Sequence, residues 1–385
     1  MKKTLASVIL LMMSVNAYSD IHQKLQDVLD DFIARHPASP GIVAALDCDE
    51  IGLKWRGAAG FTTRERTAPL NADSPFRLAS TTKTYVAATI LRLIEQGKLG
   101  LDDAIDMHLS KDILDILRRD YAPEKMTIRQ LLTHTAGLND HTLDTNYVEL
   151  VMADPQHHWT AIEQITLGVD KGSPIGSPGE QYRYSDTGYV LLGEIIEHRS
   201  GQVLAAALRK QLKFNELGLD ATWLETVEPW PANLPPRPGQ YLGELDTSEV
   251  HASVDLYGGG GLVATMEDVA HFYEALFEGK IFKGPNTLWL MRSSIVPDNN
   301  GPTFDGGVMG PVQYTLGLFS WSHAGHTVFQ HSGAWGTIGG YVPNLVLAFG
   351  LTVGDGAISS QYPWVKKLLD IVIAAKAVSE SSNNH

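Results

Sequence analysis

The sequence predicts a mixed α/β chain of the α+β kind, an antiparallel sheet flanked by helices together with a mostly helical domain. Three observations predict it: strand-like runs lie near both ends, helical periodicity fills the middle, and a helix that is apolar nearly all round stands where the two meet. Residues 21–36 place Leu25, Val28, Leu29, Phe32 and Ile33 on one helix face, and Pro37 stops that helix. GIVAALD (41–47) and GLKWRGAAG (52–60), separated by a polar CDE turn, read as a hairpin. Phe76 to Ala79 is a short extended stretch that feeds a helix expected from Ser80 to Gln96, apolar until Arg92 and closed by Gly97. Such a helix belongs in the middle of a core.

From about residue 100 to 255 the helical pieces TIRQLLTHTAGL, TAIEQITLGV and TGYVLLGEIIEHRSG alternate with Pro- and Gly-rich loops, and EPWPANLPPRPGQ reads as a surface loop. GGGGLVATMEDVAHFYEALFEGK then gives a turn and a helix. The strand-like runs YTLGLFSW, HTVFQHSG, TIGGYV and NLVLAFGLTVG follow, and an amphipathic helix is expected over roughly 362–377. The expected domains are therefore a sheet-plus-helix domain made from 20–99 and 256–385, and a mostly helical one over 100–255. No internal repeat recurs at a fixed period.

A length of 385 residues gives room for two or three domains and a sizeable core. Apolar residues at 44% and charged residues at 19% exclude disorder and coiled coil. Thirty Lys and Arg against 44 Asp and Glu leave a charge of −14, a field that repels nucleic acid and anionic lipid. The lone cysteine, Cys48, cannot close an intrachain disulfide or build a Cys-rich zinc site, so it is expected to be a small apolar filler. The opening MKKTLASVILLMMSVNAYSD puts two lysines before an apolar run from Leu5 to Met13, far short of the roughly 20 residues a membrane span needs. It reads as a signal peptide over 1–19, cleaved after Ala17 or Ser19, with the mature protein in the periplasm or outside the cell and no membrane span.

The chain has no HExxH, Walker loop, GxGxxG, G-x-S-x-G or CxxC, which removes sequence support for metalloprotease, nucleotide-binding and α/β-hydrolase readings. It has one S-x-x-K, Ser80-Thr81-Thr82-Lys83, at the start of the apolar helix. Residues three apart share a helix face, so the Lys83 amine can reach the Ser80 hydroxyl. Serine needs a neighbouring base to act as a nucleophile, and a desolvated lysine can be that base. The plainer alternative is an N-cap serine beside a solvated lysine. Tyr184-Ser185-Asp186 precedes another helix, and His331-Ser332-Gly333 ends a strand before Ala334.

In that order the three motifs resemble those of the penicillin-recognising serine hydrolases: class C β-lactamases, low-molecular-weight D,D-peptidases, and related esterases and D-amino-acid amidases. LLTHTAGL, PGEQYRYSDTGYVLLGEIIE, GGGGLVATMEDVAHF and HSGAWGTIGGY resemble the same family, so the likeness spans about residues 25 to 375. It implies a β-lactamase/D,D-peptidase-like fold and an acyl-enzyme mechanism with no cofactor. Ser80 would be the acylated nucleophile, Lys83 its base, and Tyr184 the proton shuttle to the leaving group. The backbone N–H groups of Ser80 and Ala334 would form the oxyanion hole. Asp186, His331, Ser332, Gly333 and Trp335 are the expected substrate-binding residues, with Gly333 bare of a Cβ so that substrate can approach the backbone.

Two positions depart from the β-lactamase pattern. His331 stands where class C enzymes carry lysine, and it is expected to lose its charge near pH 6.5. Asp186 stands where many members have asparagine, and either caps its helix or faces the site, where it would favour a protonated Lys83. His134, His141, His157 and His158 fall in one region without metal-site spacing, so no metal is expected. The expected function is a secreted serine hydrolase of D,D-peptidase or esterase type acting on small amides, peptides or esters. The alternatives are a β-lactamase and, from another class, a non-catalytic protein that binds cell-wall peptides or a partner. Neutral substrates are expected to be preferred over carboxylated ones, with binding of the latter weakening from pH 6 to 8 as His331 deprotonates.

Overall fold

The computed structural model describes residues 20–143, 146–293, 312–359 and 363–383, so the expected signal peptide over 1–19 lies outside the described residues. In chain order the strands are β1 (Gly41–Cys48), β2 (Leu53–Gly60), β3 (Phe76–Arg77), β4 (Thr222–Leu224), β5 (Tyr241–Leu242), β6 (Leu245–Asp246), β7 (Leu262–Ala264), β8 (Gln313–Tyr314), β9 (Phe319–His323), β10 (His326–Ser332), β11 (Thr337–Val342) and β12 (Leu347–Val353). A seven-stranded antiparallel sheet runs β2-β1-β12-β11-β10-β9-β8, so its two ends of chain meet where β1 pairs with β12. Period-two alternation explains why β1 is apolar throughout: Val43 and Ala45 enter one core, while Ile42, Ala44 and Leu46 enter the other.

One face is covered by helix α1 (20–35) and by the terminal helix, Pro363–Asn383, whose Trp364, Val365, Leu368 and Leu369 meet Leu25, Leu29 and Phe32. Each such side chain contributes about 2 kcal/mol of apolar burial. Cys48 is buried there as a free thiol, donating to the Leu345 carbonyl at 3.1 Å. Across the other face lies the helix Met266–Phe277. Gly339 and Gly350 are cross-strand partners, and a Cβ on either would strike it, Tyr273 at 2.4 Å or the Met266 carbonyl at 2.1 Å. The glycines let helix and sheet approach to backbone contact.

Helix α2 (Thr82–Glu95) is buried on every side from Thr82 to Leu91. It packs on a long helix, Asp186–Ser200, and on Leu204–Gln211. The small sheet β3-β7-β4 ties its start to the glycine-rich segment before Leu262. Two elements differ from the sequence reading. YTLGLFSW is broken by a turn, because Gly317 adopts φ 78° between β8 and β9. The helix expected across TIRQLLTHTAGL stops at Leu132, where His134 turns to φ 56°.

Candidate active site

Ser80 sits in a 3₁₀ turn, Ala79–Thr81, that opens α2, and the preceding Ala79 is held at φ 45°, a strained conformation for a residue with a Cβ. Neighbouring strands fix that turn. The Thr81 hydroxyl donates to the His331 carbonyl at 3.3 Å, and the Thr337 hydroxyl donates to the Leu78 carbonyl at 2.7 Å. Gly333 completes the clamp: a Cβ there would lie 2.1 Å from the Leu78 carbonyl and 3.0 Å from the Ala79 Cβ. Its bareness therefore serves the Ser80 turn itself, a different reason from the substrate approach expected of it.

Lys83 is fully buried, which sets aside a solvated lysine. Its Nζ donates to Ser80 Oγ at 2.9 Å, to the Gly259 carbonyl at 2.6 Å and to the Asp186 carboxylate, three acceptors for the three N–H bonds of an ammonium. Asp186 is the first residue of its helix, but the cap is Ser185, whose Oγ accepts from the Gly188 N–H at 3.3 Å. Asp186 is thus free to face Lys83, and Thr142 donates to its other oxygen at 3.4 Å. The glycine run matters here. A Cβ on Gly258, at φ 115°, would lie 2.3 Å from the Tyr189 carbonyl, so only glycine lets this loop bring the Gly259 carbonyl to Lys83.

The Tyr184 ring stands 5.1 Å from Lys83 Nζ, and burial, then the Asp186 charge, push the phenol well above its ordinary pKa. Behind it the His134 ring lies at 4.2 Å, and its Nδ1 accepts the Ser185 N–H at 3.1 Å. Burial and Lys83 hold His134 well below the usual histidine range, so a neutral ring supports the tyrosine. The other histidines of that region go elsewhere: His141 to Thr187, His157 to Glu163, and His158 onto His251. Among the described residues the acidic group spaced for a shared cation is Asp49, Glu274 and Glu278, where Lys280 already binds both glutamates.

His331 corrects an expectation. It is fully buried, its Nδ1 bonded to the Ser332 carbonyl at 2.9 Å and its Nε2 to the Tyr314 hydroxyl at 3.1 Å. Burial first, and Lys83 second, push it down to about 3, so it is neutral from pH 6 to 8 and both nitrogens are already engaged. It is no switchable anchor for a carboxylate.

In front of Ser80 opens a cavity of about 270 Å³, lined by Ser80, Asp186, Ala334, Trp335, Thr142 and Asp255 and walled by apolar side chains including Tyr147, Val151, Leu245 and Val254. Among the described residues neither the Ser80 nor the Ala334 N–H has an intramolecular acceptor. Ser332, next to them, is partly exposed at the end of β10. The Trp335 indole N–H donates to Asp255 Oδ2 at 3.1 Å. Burial and the Asp186 charge push both Asp255 and Asp140 up to about 7. Asp140, Asp255, Tyr314 and the Gly259 carbonyl were not singled out from sequence, and His134 was weighed there only as a metal ligand; the four-glycine run is the one signal that a close backbone approach could have been read from.

The sequence profile of the family described as Beta-lactamase matches residues 29–356. Penicillin-binding protein 4* of Bacillus subtilis is 26% identical over 326 residues, 81% of this chain and 66% of that protein. Esterase EstB of Burkholderia gladioli is 28% identical over 337 residues, 78% of this chain and 81% of that protein. D-amino acid amidase of Ochrobactrum anthropi SV3 superposes with a TM-score of 0.77 at 25% identity, covering 93% of this chain and 99% of that one.

Proposed function

The chain belongs to the beta-lactamase family, and from that premise we propose that it is an acyl-transferring serine hydrolase built on Ser80, Lys83 and Tyr184. The observation that carries the proposal is the setting of Ser80. Its Oγ accepts from Lys83 Nζ at 2.9 Å, with the Tyr184 ring 5.1 Å from that nitrogen, and it faces a cavity beside two backbone N–H groups with no intramolecular acceptor among the described residues. A carbonyl oxygen placed between the Ser80 and Ala334 amides would have its developing negative charge met by two fixed donors, each contributing about 3 kcal/mol.

Ser80 attacks the carbonyl carbon, and its proton passes into the Lys83–Tyr184 pair. Lys83 accepts it once its own proton has moved to Asp186, the acceptor in contact. The pair then protonates the leaving amine or alkoxide, and water reverses the sequence to release the acid. The lining favours small, apolar acyl groups without a carboxylate: among the described residues it holds Asp186 and Asp255 and no cationic side chain. Relatives named as an esterase and as a D-aminopeptidase support neutral esters and amides as the substrate class. The charged and apolar opening of residues 1–19 supports export to the periplasm or exterior.

The test is a comparison of kcat/KM for a neutral short-chain aryl ester, a D-amino-acid amide and benzylpenicillin, with fluorophosphonate labelling of wild type and Ser80→Ala. Ester or amide turnover above that of penicillin, with labelling lost in Ser80→Ala, is expected. A protein that binds these compounds without covalent labelling is the non-catalytic binder instead, and faster hydrolysis of penicillin makes it a β-lactamase.

A further inference from the structure

Within the cavity the two carboxylates are in different situations. Asp186 is in contact with Lys83, whereas Asp255 has no ion-pair partner among the described residues. The Trp335 indole fixes its Oδ2 at 3.1 Å, and no hydrogen bond within the described residues occupies Oδ1. The carboxylate is also built in: a Cβ on Gly260 would lie 2.3 Å from both of its oxygens, so a glycine is needed for it to occupy this place. A half-buried carboxylate beside a second carboxylate is costly unless a positive charge meets it. The apolar wall of Val151, Val254 and Leu245 supplies none.

We propose that Asp255 is a specificity residue that receives a primary ammonium group on the acyl part of the substrate, so that esters and amides of amino acids, with the amine free, are the preferred class. The inference rests on the hydrolase reading above and narrows it. An ammonium in the cavity gives Asp255 Oδ1 a charged donor while the remainder of the acyl group lies on apolar side chains, and the carbonyl beyond it reaches Ser80 and Ala334. N-acylation of the substrate removes the charge and adds bulk, so an N-acetyl amino-acid ester is a poor substrate on this view.

Two measurements test it. The first is the ratio of kcat/KM for a phenylalanine aryl ester to that for the 3-phenylpropionate ester, which lacks only the amine. The ratio is expected to exceed unity in wild type and to fall roughly 10- to 100-fold in Asp255→Asn. The second is calorimetric binding of 3-phenylpropylamine against 3-phenylpropanol to wild type and Asp255→Asn, which needs no turnover. The amine is expected to bind wild type more tightly than the alcohol and to lose that advantage in the variant. Equal binding of amine and alcohol by wild type, or an advantage that survives Asp255→Asn, overturns the inference. Absence of turnover on both esters together with selective, Asp255-dependent amine binding overturns the hydrolase reading and leaves the amine site standing.

Discussion

Behind Ser80 the polar atoms of Lys83 and His331 are engaged, and in front of it polar atoms are left open. To the rear, Lys83 has three acceptors, and both His331 nitrogens have partners. To the front, the Ser80 and Ala334 amides and one oxygen of Asp255 have no hydrogen-bond partner among the described residues. On the proposed mechanism the rear is preorganised for any acyl group, while the front is completed only by what binds there. Lys83 and His331 teach the same lesson within the rear: both are fully buried, but only Lys83 touches a carboxylate, and His331, without one, is neutral.

The largest expected effect breaks the rear alone. Lys83→Met or Tyr184→Phe should lower kcat by roughly 100- to 10,000-fold on every substrate, with substrate ratios unchanged. Activity within tenfold of wild type in either variant would remove that residue from the proton path. A front change should do the reverse. Trp335→Phe removes the indole N–H that fixes Asp255, and should shift the ratio between aminated and neutral esters by roughly tenfold while altering kcat on neutral esters less.

The pH dependence separates the halves again. Asp255 is pushed up to about 7, so it loses its proton as pH rises from 6 to 8, facing Asp186, Lys83, Arg77 and Trp335 as it does so. An amine that stays protonated over this range should therefore inhibit about tenfold more tightly at pH 8 than at pH 6. His331, already neutral, should contribute nothing to that trend, and its ring should not titrate by NMR between pH 5 and 9. A His331 titration near 6.5 would restore the anchor role expected from sequence.

The pair formed by Ser80 and Lys83 was readable because it is local: three residues on one helix face. Tyr184 was readable only through resemblance, since nothing in its neighbours says that it returns to α2. Asp255 and the Gly259 carbonyl reach the site through a loop whose path is set by Gly258 and Gly260, and His331's neutrality is set by its burial and by Lys83, on a distant helix. These are tertiary facts that no window of sequence contains. The fold divides likewise: the β1–β2 hairpin and the buried helix α2 follow from periodicity, but the insertion of β12 between β1 and β11 does not.

The smallest effect concerns stability. Asp140 is held in the fold at about 7, raised from 3.8 by burial and by the Asp186 charge. Its contribution to stability is complete below the unfolded value and is lost as pH rises through 7. Asp140→Asn should therefore gain about 1 kcal/mol on wild type between pH 6 and 8 in denaturant unfolding. A constant difference across that range would show that Asp140 does not titrate in the folded protein.

Peptide mapping by mass spectrometry, after brief reaction with a slowly deacylating ester or penicillin, tests the division between rear and front most directly. The acyl adduct is expected on the peptide carrying Ser80, in wild type but not in Ser80→Ala, with accumulation slowed in Lys83→Met. An adduct on Ser185 or Ser332, or one that forms at wild-type rate without Lys83, would contradict it.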